Sequence, residues 1–249
     1  MNSSTPLTIS RGDFSAERLK RLTPEEQRLI VMAGHISNEI TILQKILVAC
    51  MNFRGRSAVA QEGFSTQNLV VAKVLGGKLL EAWQAIKRLY YGSQLSRRLG
   101  PELMEESRTA EADLKRYFRR ENLLHKVRNG AAFHYSGDAV PQAIASLPDE
   151  LPMQIYLAEE TGNSLYSFAE QPMFMEAFAE PANRSLQANF DEFIGDTQRV
   201  GRDMAVFLQG CIGVLWERLA TDVSLREEEV PRQDVGGLHD TYLPFFLKG

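Results

Sequence analysis

Residues 23–50, TPEEQRLIVMAGHISNEITILQKILVAC, decide the fold class. The segment opens with Thr23, then Pro24, then a glutamate three residues after the threonine, which is the signature of a helix start. Apolar residues then recur at steps of three and four without interruption; they are Leu29, Ala33, Ile36, Ile40, Leu43, Leu47 and Cys50. This spacing predicts a helix of about 28 residues that buries one continuous face.

Other helical patterns follow along the chain. Ser65 is suited to cap a second long helix that runs to about Leu99, and the Gly76-Gly77 pair inside it indicates either close approach to another helix or a kink. A third helix, charged on nearly all sides, is predicted from Pro101 to about Asn122, and a short helix of its own is predicted over residues 123–135. A last long helix begins near residue 183, and its apolar stripe is Phe193, Val200, Met204, Leu208, Cys211, Leu215 and Leu219.

The predicted fold class is therefore all-α, a helical bundle of about four long helices with a small inserted β-hairpin. The hairpin is expected at about residues 152–170, where two β-prone runs flank a loop that contains glycine. The helical domain spans residues 23–222. Residues 1–22 are expected to form a mobile arm or a short capping segment. The tail, residues 223–249, is acidic and then apolar, and either packs back or docks on a partner.

Charge is distributed unevenly along a chain whose net charge is −4. Residues 87–128 carry eleven Lys/Arg against six Asp/Glu, whereas residues 138–193 carry ten acids and one arginine. The acidic total argues against a protein that coats nucleic acid indiscriminately. The asymmetry fits a phosphate-binding face beside a partner-binding face, or simply two solvated helix surfaces.

Compartment is indicated by the cysteines and by hydropathy. Cys50 and Cys211 both lie in apolar helical patterns and are predicted to be reduced core residues. No apolar run approaches the roughly 18–20 residues of a membrane span, and the first residues lack a signal-peptide pattern. We therefore expect a cytoplasmic protein that is not embedded in a membrane.

The candidate site lies in residues 124–135, LHKVRNGAAFHY. Arg128 offers planar donors that suit phosphate oxygens, and His134 is a side chain that carries protons near neutral pH. Asn129 follows the arginine directly, and His134 stands between two aromatic residues. Cation, amide and imidazole together favour chemistry at a phosphate group.

These residues resemble the motif of the HEPN superfamily, in which an arginine, commonly followed by a polar residue such as Asn, precedes a histidine by a short interval. HEPN proteins are helical bundles, commonly homodimers, and many are metal-independent endoribonucleases of bacterial toxin–antitoxin and phage-defence systems. The resemblance covers only this motif and its helical context. The bare Arg-x(4–6)-His spacing also occurs at Arg28–His35, Arg119–His125, Arg120–His125 and Arg232–His239, so Asn129 is what distinguishes Arg128.

The resemblance implies a metal-independent endoribonuclease or RNA-binding effector without a cofactor. His134 would move the proton of an RNA 2′-hydroxyl, Arg128 would stabilise charge on the phosphoryl oxygens, and Asn129 would orient His134 or the substrate. RNA would be held by Lys126, Arg119, Arg120 and His125. An antitoxin or regulatory protein is the expected partner besides RNA.

A homodimer is expected on geometric grounds. Positions six apart on a straight helix are separated by about 9 Å along the axis and about 120° around it, so one chain straddles a phosphate poorly. Two such helices around a twofold axis would form one composite site.

Other interpretations of the same residues remain open. His134 fits a partly buried structural histidine, and Arg128-Asn129 fits a helix end or a salt bridge to the acidic half. His125 fits a structural role or an RNA contact better than catalysis. The alternative function is a non-catalytic helical dimerisation or interaction protein. The sequence has no Cys/His/carboxylate cluster with metal-ligand spacing, so no metal site is predicted.

Overall fold

The computed structural model describes residues 7–52, 55–128, 137–138, 140–177, 186–221, 223–231, 235–237 and 241–248. Within them the fold is all-α with one small antiparallel sheet, as predicted. The elements in chain order are β1 (Leu7–Gly12), α1 (Ala16–Leu19), α2 (Pro24–Met51), α3 (Ala58–Ile86), a π-helical turn (Lys87–Tyr91), α4 (Leu95–Leu99), a 3-10 turn (Gly100–Glu102), α5 (Glu105–Tyr117), α6 (Leu123–Val127), α7 (Val140–Ala145), a 3-10 turn (Thr161–Asn163), α8 (Ser167–Ala177), α9 (Leu186–Leu219) and β2 (Leu225–Val230).

Helix α2 begins where the sequence predicts. The Thr23 hydroxyl accepts from the Glu26 backbone N–H at 3.4 Å, and the Thr23 backbone N–H donates to the Glu26 carboxylate at 2.9 Å. This reciprocal capping box satisfies two donors that the first helical turn would otherwise leave unpaired. The apolar face is buried as expected, except that Leu43 is only half-buried.

The long helices pack around one hydrophobic core. Helix α9 lies against both α2 and α5, and α2 lies against α3. The predicted stripe of α9 is buried throughout, and Phe193, Met204 and Cys211 have no measurable exposure. The first and last long helices therefore pack together because each presents an uninterrupted apolar face to the other.

The predicted start of α3 at Ser65 is wrong. Ser57 caps this helix instead, because its hydroxyl accepts from the Ala60 backbone N–H at 3.3 Å. Ser65 lies within the helix, and its hydroxyl donates to the Gln61 carbonyl at 2.9 Å.

The predicted continuation of α3 to Leu99 is also wrong. The α-helix ends at Ile86 and widens into the π-helical turn, in which the Gly92 N–H donates to the Lys87 carbonyl at 2.8 Å. A Cβ atom on Gly92 would lie 2.6 Å from the Arg88 carbonyl oxygen, so a glycine is required for the chain to close this turn. The chain then changes direction before α4.

Gly76 brings α3 close to its neighbours. A Cβ atom at this position would lie 3.0 Å from Leu124 of α6 and 3.2 Å from Phe193 of α9. Of the two explanations for the glycine pair, close approach therefore holds at Gly76. The contact fixes α6, which carries part of the candidate site, against two long helices.

The small sheet does not form at residues 152–170, where the strands were predicted. Residues 7–12, expected in a mobile arm, form β1 and pair with β2, in register from Leu7 opposite Val230 to Gly12 opposite Leu225. The hairpin expected at 152–170 is reduced to a single antiparallel bridge between Tyr156 and Leu165. Its second run is cut short because α8 begins at Ser167.

The apolar end of the tail packs back on the helical domain. Phe245 covers Gly63 of α3, where a Cβ atom would lie 2.8 Å from the Phe245 side chain. The rings of Tyr242 and Phe64 meet edge to face at 6.5 Å, and the Asn163 side chain pairs with the backbone of Leu247. The sequence left two roles open for the tail, packing back on the domain or docking on a partner. In the structure this end of the tail packs back.

Candidate nucleic-acid interface

Helix α6 is held in place by its N-cap. The Asn122 side-chain carbonyl accepts from the His125 backbone N–H at 3.2 Å, and its amide donates to the carbonyls of Tyr117 and Arg120. These two donations fix which end of the Asn122 amide is the oxygen. Asn122 thereby joins the end of α5 to the start of α6 and holds the two basic segments next to each other.

His125 lies in a partly buried position, and one hydrogen bond fixes which ring nitrogen donates. Its ring Nδ1 is 2.9 Å from Asn122 Oδ1, which can only accept, so the neutral ring carries its proton on Nδ1 and leaves Nε2 as the basic atom. The ring edge also contacts Phe118 at a centroid distance of 6.0 Å. Burial lowers the pKa of His125; Glu121 opposes this shift and Lys87 adds to it. A neutral imidazole fits the structural role, which was one of the two alternatives for His125; the RNA contact stays a prediction.

Arg128 is the first residue beyond α6 and pairs with a carboxylate of α3. Its Nη2 lies 3.0 Å from Glu81 Oε1, and the two side chains are 36% and 55% exposed. An ion pair this open to water contributes about 0–1 kcal/mol. A phosphate group could therefore exchange with Glu81 at little cost. The salt bridge expected as one alternative exists, but with a residue outside the acidic half.

The other two members of the predicted catalytic set, Asn129 and His134, lie outside the described residues. The roles of Asn129 and His134 beside Arg128 stay predictions, and so does the composite site in a dimer.

The predicted RNA-binding residues lie near one another along the chain. Arg119 and Arg120 are exposed in the turn after α5, and Lys126 is half-buried on α6. Within the described part of the chain, none of the three forms a salt bridge. Their charges are therefore available to an anionic ligand.

An aromatic cluster lies beneath this surface. Trp83 of α3 stacks on Phe118 with a centroid distance of 5.1 Å, and its ring also meets Tyr91. The Tyr91 hydroxyl donates to Glu111 at 2.9 Å, and burial together with this carboxylate raises the pKa of Tyr91. The cluster is structural: it anchors the α5–α6 turn to α3 and the π-helical turn.

Four arginines that the sequence analysis did not single out line a separate cleft. Arg28 comes from α2, Arg88 from the π-helical turn, and Arg97 and Arg98 from α4. The basic run over residues 87–128 was a signal for three of them. No sequence signal connects them with Arg28, because the fold brings α2 to this place.

Comparison of the chain with protein-family models, curated proteins and solved structures finds no match. Among the helices that the structure describes, none combines the length and apolar character that crossing a bilayer requires. In the same residues no group of three or more His, Cys, Asp or Glu side chains could hold a metal ion.

Proposed function

We propose that the protein is a HEPN-type, metal-independent endoribonuclease or RNA-binding effector, acting in the cytoplasm in bacterial toxin–antitoxin or phage defence. The observation that carries the proposal is the environment of Arg128. This guanidinium, half-exposed at the end of α6, is paired with an exchangeable carboxylate and lies close in sequence to Lys126, Arg119 and Arg120. Such an arrangement suits a phosphate-bearing strand.

In this proposal Arg128 and His134 divide the chemistry. His134 takes the proton of an RNA 2′-hydroxyl as its oxygen attacks the adjacent phosphorus, and Arg128 stabilises the charge that develops on the phosphoryl oxygens. Asn129 orients the histidine or the substrate. Because the attacking group is the 2′-hydroxyl, the products are a cyclic phosphate and a 5′-hydroxyl end, and DNA is not cleaved.

A homodimer completes the proposed site. Arg128 and His134 of both chains would meet near a twofold axis, because one helix spans a phosphate poorly. Sedimentation at micromolar concentration should give a dimer. A strict monomer would remove the composite site and most of the case for catalysis.

Cleavage of single-stranded RNA in EDTA tests the proposal. Arg128→Ala and His134→Ala should each lower the cleavage rate by about 10²–10⁴-fold while leaving the melting temperature nearly unchanged. Matched controls are Arg108→Ala and His35→Ala, which remove exposed side chains of the same kinds outside the motif. RNA methylated at the 2′-oxygen should resist cleavage. Equal losses in the control variants would contradict the assignment.

A non-catalytic dimerisation or interaction protein is the second candidate, and one observation favours it. Met153, Ile155, Leu157, Tyr166 and Phe168 are all exposed, and Leu157 is 74% exposed. Large apolar side chains that are exposed together within one short segment are typical of protein contacts. If this surface forms the dimer, Leu157→Asp should yield folded monomers. A dimer that survives Leu157→Asp would count against this candidate.

A further inference from the structure

A cleft of ≈ 800 Å³ lies between the first turns of α2 and the segment from the π-helical turn to α4. Its charged lining consists of four arginines, Arg28, Arg88, Arg97 and Arg98, and one glutamate, Glu25. The polar side chains of Ser93, Gln94 and Ser96 complete the floor and walls, together with Tyr91 and two leucines. The cleft is therefore concave, polar and strongly cationic.

The backbone on one side of the cleft is rigidly defined. The Ser93 hydroxyl donates to the Leu89 carbonyl at 2.7 Å and accepts from the Leu95 backbone N–H at 3.2 Å. Gly92 has no room for a Cβ atom beside the Arg88 carbonyl. π-Helical turns are rare and occur frequently at functional sites, because they re-aim the side chains that follow. Here the turn carries Arg88 into the cleft wall.

The four arginines differ in how much of their charge is already matched. Arg98 pairs with the buried carboxylate of Glu26 at 2.6 Å, and Arg28 pairs with Glu25 at 3.1 Å. In the described part of the chain, Arg88 and Arg97 form no ion pair, although both are exposed within the same concave surface. Within the described residues, these two guanidinium groups thus line one cleft without an ion-paired carboxylate.

We propose that this cleft binds a small molecule that carries more than one phosphate group, with Arg88 and Arg97 as its principal ligands. Guanidinium groups bind phosphate oxygens through paired hydrogen bonds, and the Ser96 hydroxyl and Gln94 amide supply further donors. The cleft volume is within the roughly 300–1,000 Å³ typical of small-molecule sites. The site is independent of the proposed nuclease, since its lining contains none of the residues assigned to catalysis or RNA binding.

Isothermal titration of the whole 249-residue chain with pyrophosphate, and separately with ATP, tests the proposal. Saturable binding at one site per chain is expected, with a Kd that rises with salt. Arg88→Gln and Arg97→Gln should each raise the Kd by roughly tenfold or more, because each removes charge-assisted hydrogen bonds. The control is the double variant Arg108→Gln/Arg226→Gln, which removes two exposed arginines that lie outside the cleft.

The outcomes separate a small ligand from a nucleic-acid strand. Binding of a single-stranded RNA oligomer that depends on Arg88 and Arg97, without binding of pyrophosphate or ATP, would overturn the proposal and assign the arginines to an RNA contact. Absence of binding by all three probes would also overturn it, as would equal weakening in the control variant. Because neither Arg88 nor Arg97 is buried, their variants should keep the wild-type melting temperature.

Discussion

Two arginine–carboxylate sites of this protein contrast sharply in burial. The Glu26 side chain is 5% exposed and lies 2.6 Å from both Arg98 and Arg218, whereas Glu81 is 55% exposed and lies 3.0 Å from Arg128. Glu26 also caps α2 through Thr23. The carboxylate of Glu26 joins the start of α2 to the ends of α4 and α9. Because it holds three parts of the chain together, it cannot be exchanged for a ligand. The carboxylate of Glu81 is open to water and can be.

The difference explains which arginines are available for function. Arg98 and Arg218 neutralise a carboxylate that is almost fully buried, and removing both would leave its charge uncompensated. Arg128 has an exposed partner, so a phosphate can replace Glu81 without leaving a buried charge behind. Burial of the partner, rather than the presence of a salt bridge, therefore distinguishes a structural arginine from a ligand-binding one.

Glu26→Ala should have the largest effect on stability. The substitution removes the capping carboxylate, takes away the ion-pair partner of Arg98 and leaves Arg218 with Glu102. Breaking a buried ion pair costs roughly 3–5 kcal/mol, and the lower end applies here because both arginines are partly hydrated. Urea unfolding measures the change. Glu25→Gln, one residue earlier and exposed, should change the free energy of unfolding by less than about 1 kcal/mol. Equal changes in the free energy of unfolding of the two variants would contradict the difference between buried and exposed carboxylates.

The pH dependence of stability should show the second largest effect. Burial alone would raise the pKa of Glu26, but hydrogen bonds from Thr23 and the charges of Arg98 and Arg218 outweigh burial and lower it. A lowered pKa means that the folded state binds its proton less readily than the unfolded chain. The stabilisation is therefore complete above the ordinary glutamate pKa of about 4.3 and is lost as the pH falls below it.

Comparison with Glu26→Gln isolates that contribution. The difference in free energy of unfolding between the wild type and this variant should stay constant from pH 6 down to about pH 4.3 and shrink as the pH is lowered further, because the folded wild-type carboxylate becomes neutral only below its lowered pKa. Other carboxylates cancel in the comparison. A difference that also stays constant below about pH 4.3 would show that the charge of Glu26 does not matter for folding.

The parts of this contrast that the sequence could predict are local ones. Thr23, Pro24 and Glu26 form a capping signature within four residues, and the apolar spacing of α2 and α9 repeats over whole helices. Both depend on neighbours in sequence, so both were predicted correctly. The pairing of Glu26 with Arg218 links residues 192 positions apart and has no local signature.

The errors have the same origin. Strand β1 pairs with a segment more than two hundred residues away, and β2 contains three consecutive glutamates that carry little strand signal. The hairpin expected near residue 160 was inferred from local alternation, which α8 overrides from Ser167 onward. At the candidate sites, composition found the basic region and the Arg128 motif. The partner Glu81 and the fourth cleft arginine, Arg28, come from other helices and needed the fold.

Glu81→Gln should have the smallest effect on stability and still change binding. Because the pair with Arg128 is exposed, we expect the free energy of unfolding to change by less than about 1 kcal/mol. Removing this carboxylate takes away one group that competes with RNA for Arg128, so the affinity for single-stranded RNA should rise. Fluorescence anisotropy with a labelled oligomer measures it. Glu217→Gln, an exposed glutamate of α9, controls for the change in net charge.

In an Arg128→Ala background, Glu81→Gln should raise the affinity for RNA no more than the control substitution does. The guanidinium for which Glu81 competes is absent from that background. An equal gain in both backgrounds would mean that Glu81 repels RNA directly and that Arg128 takes no part in holding it.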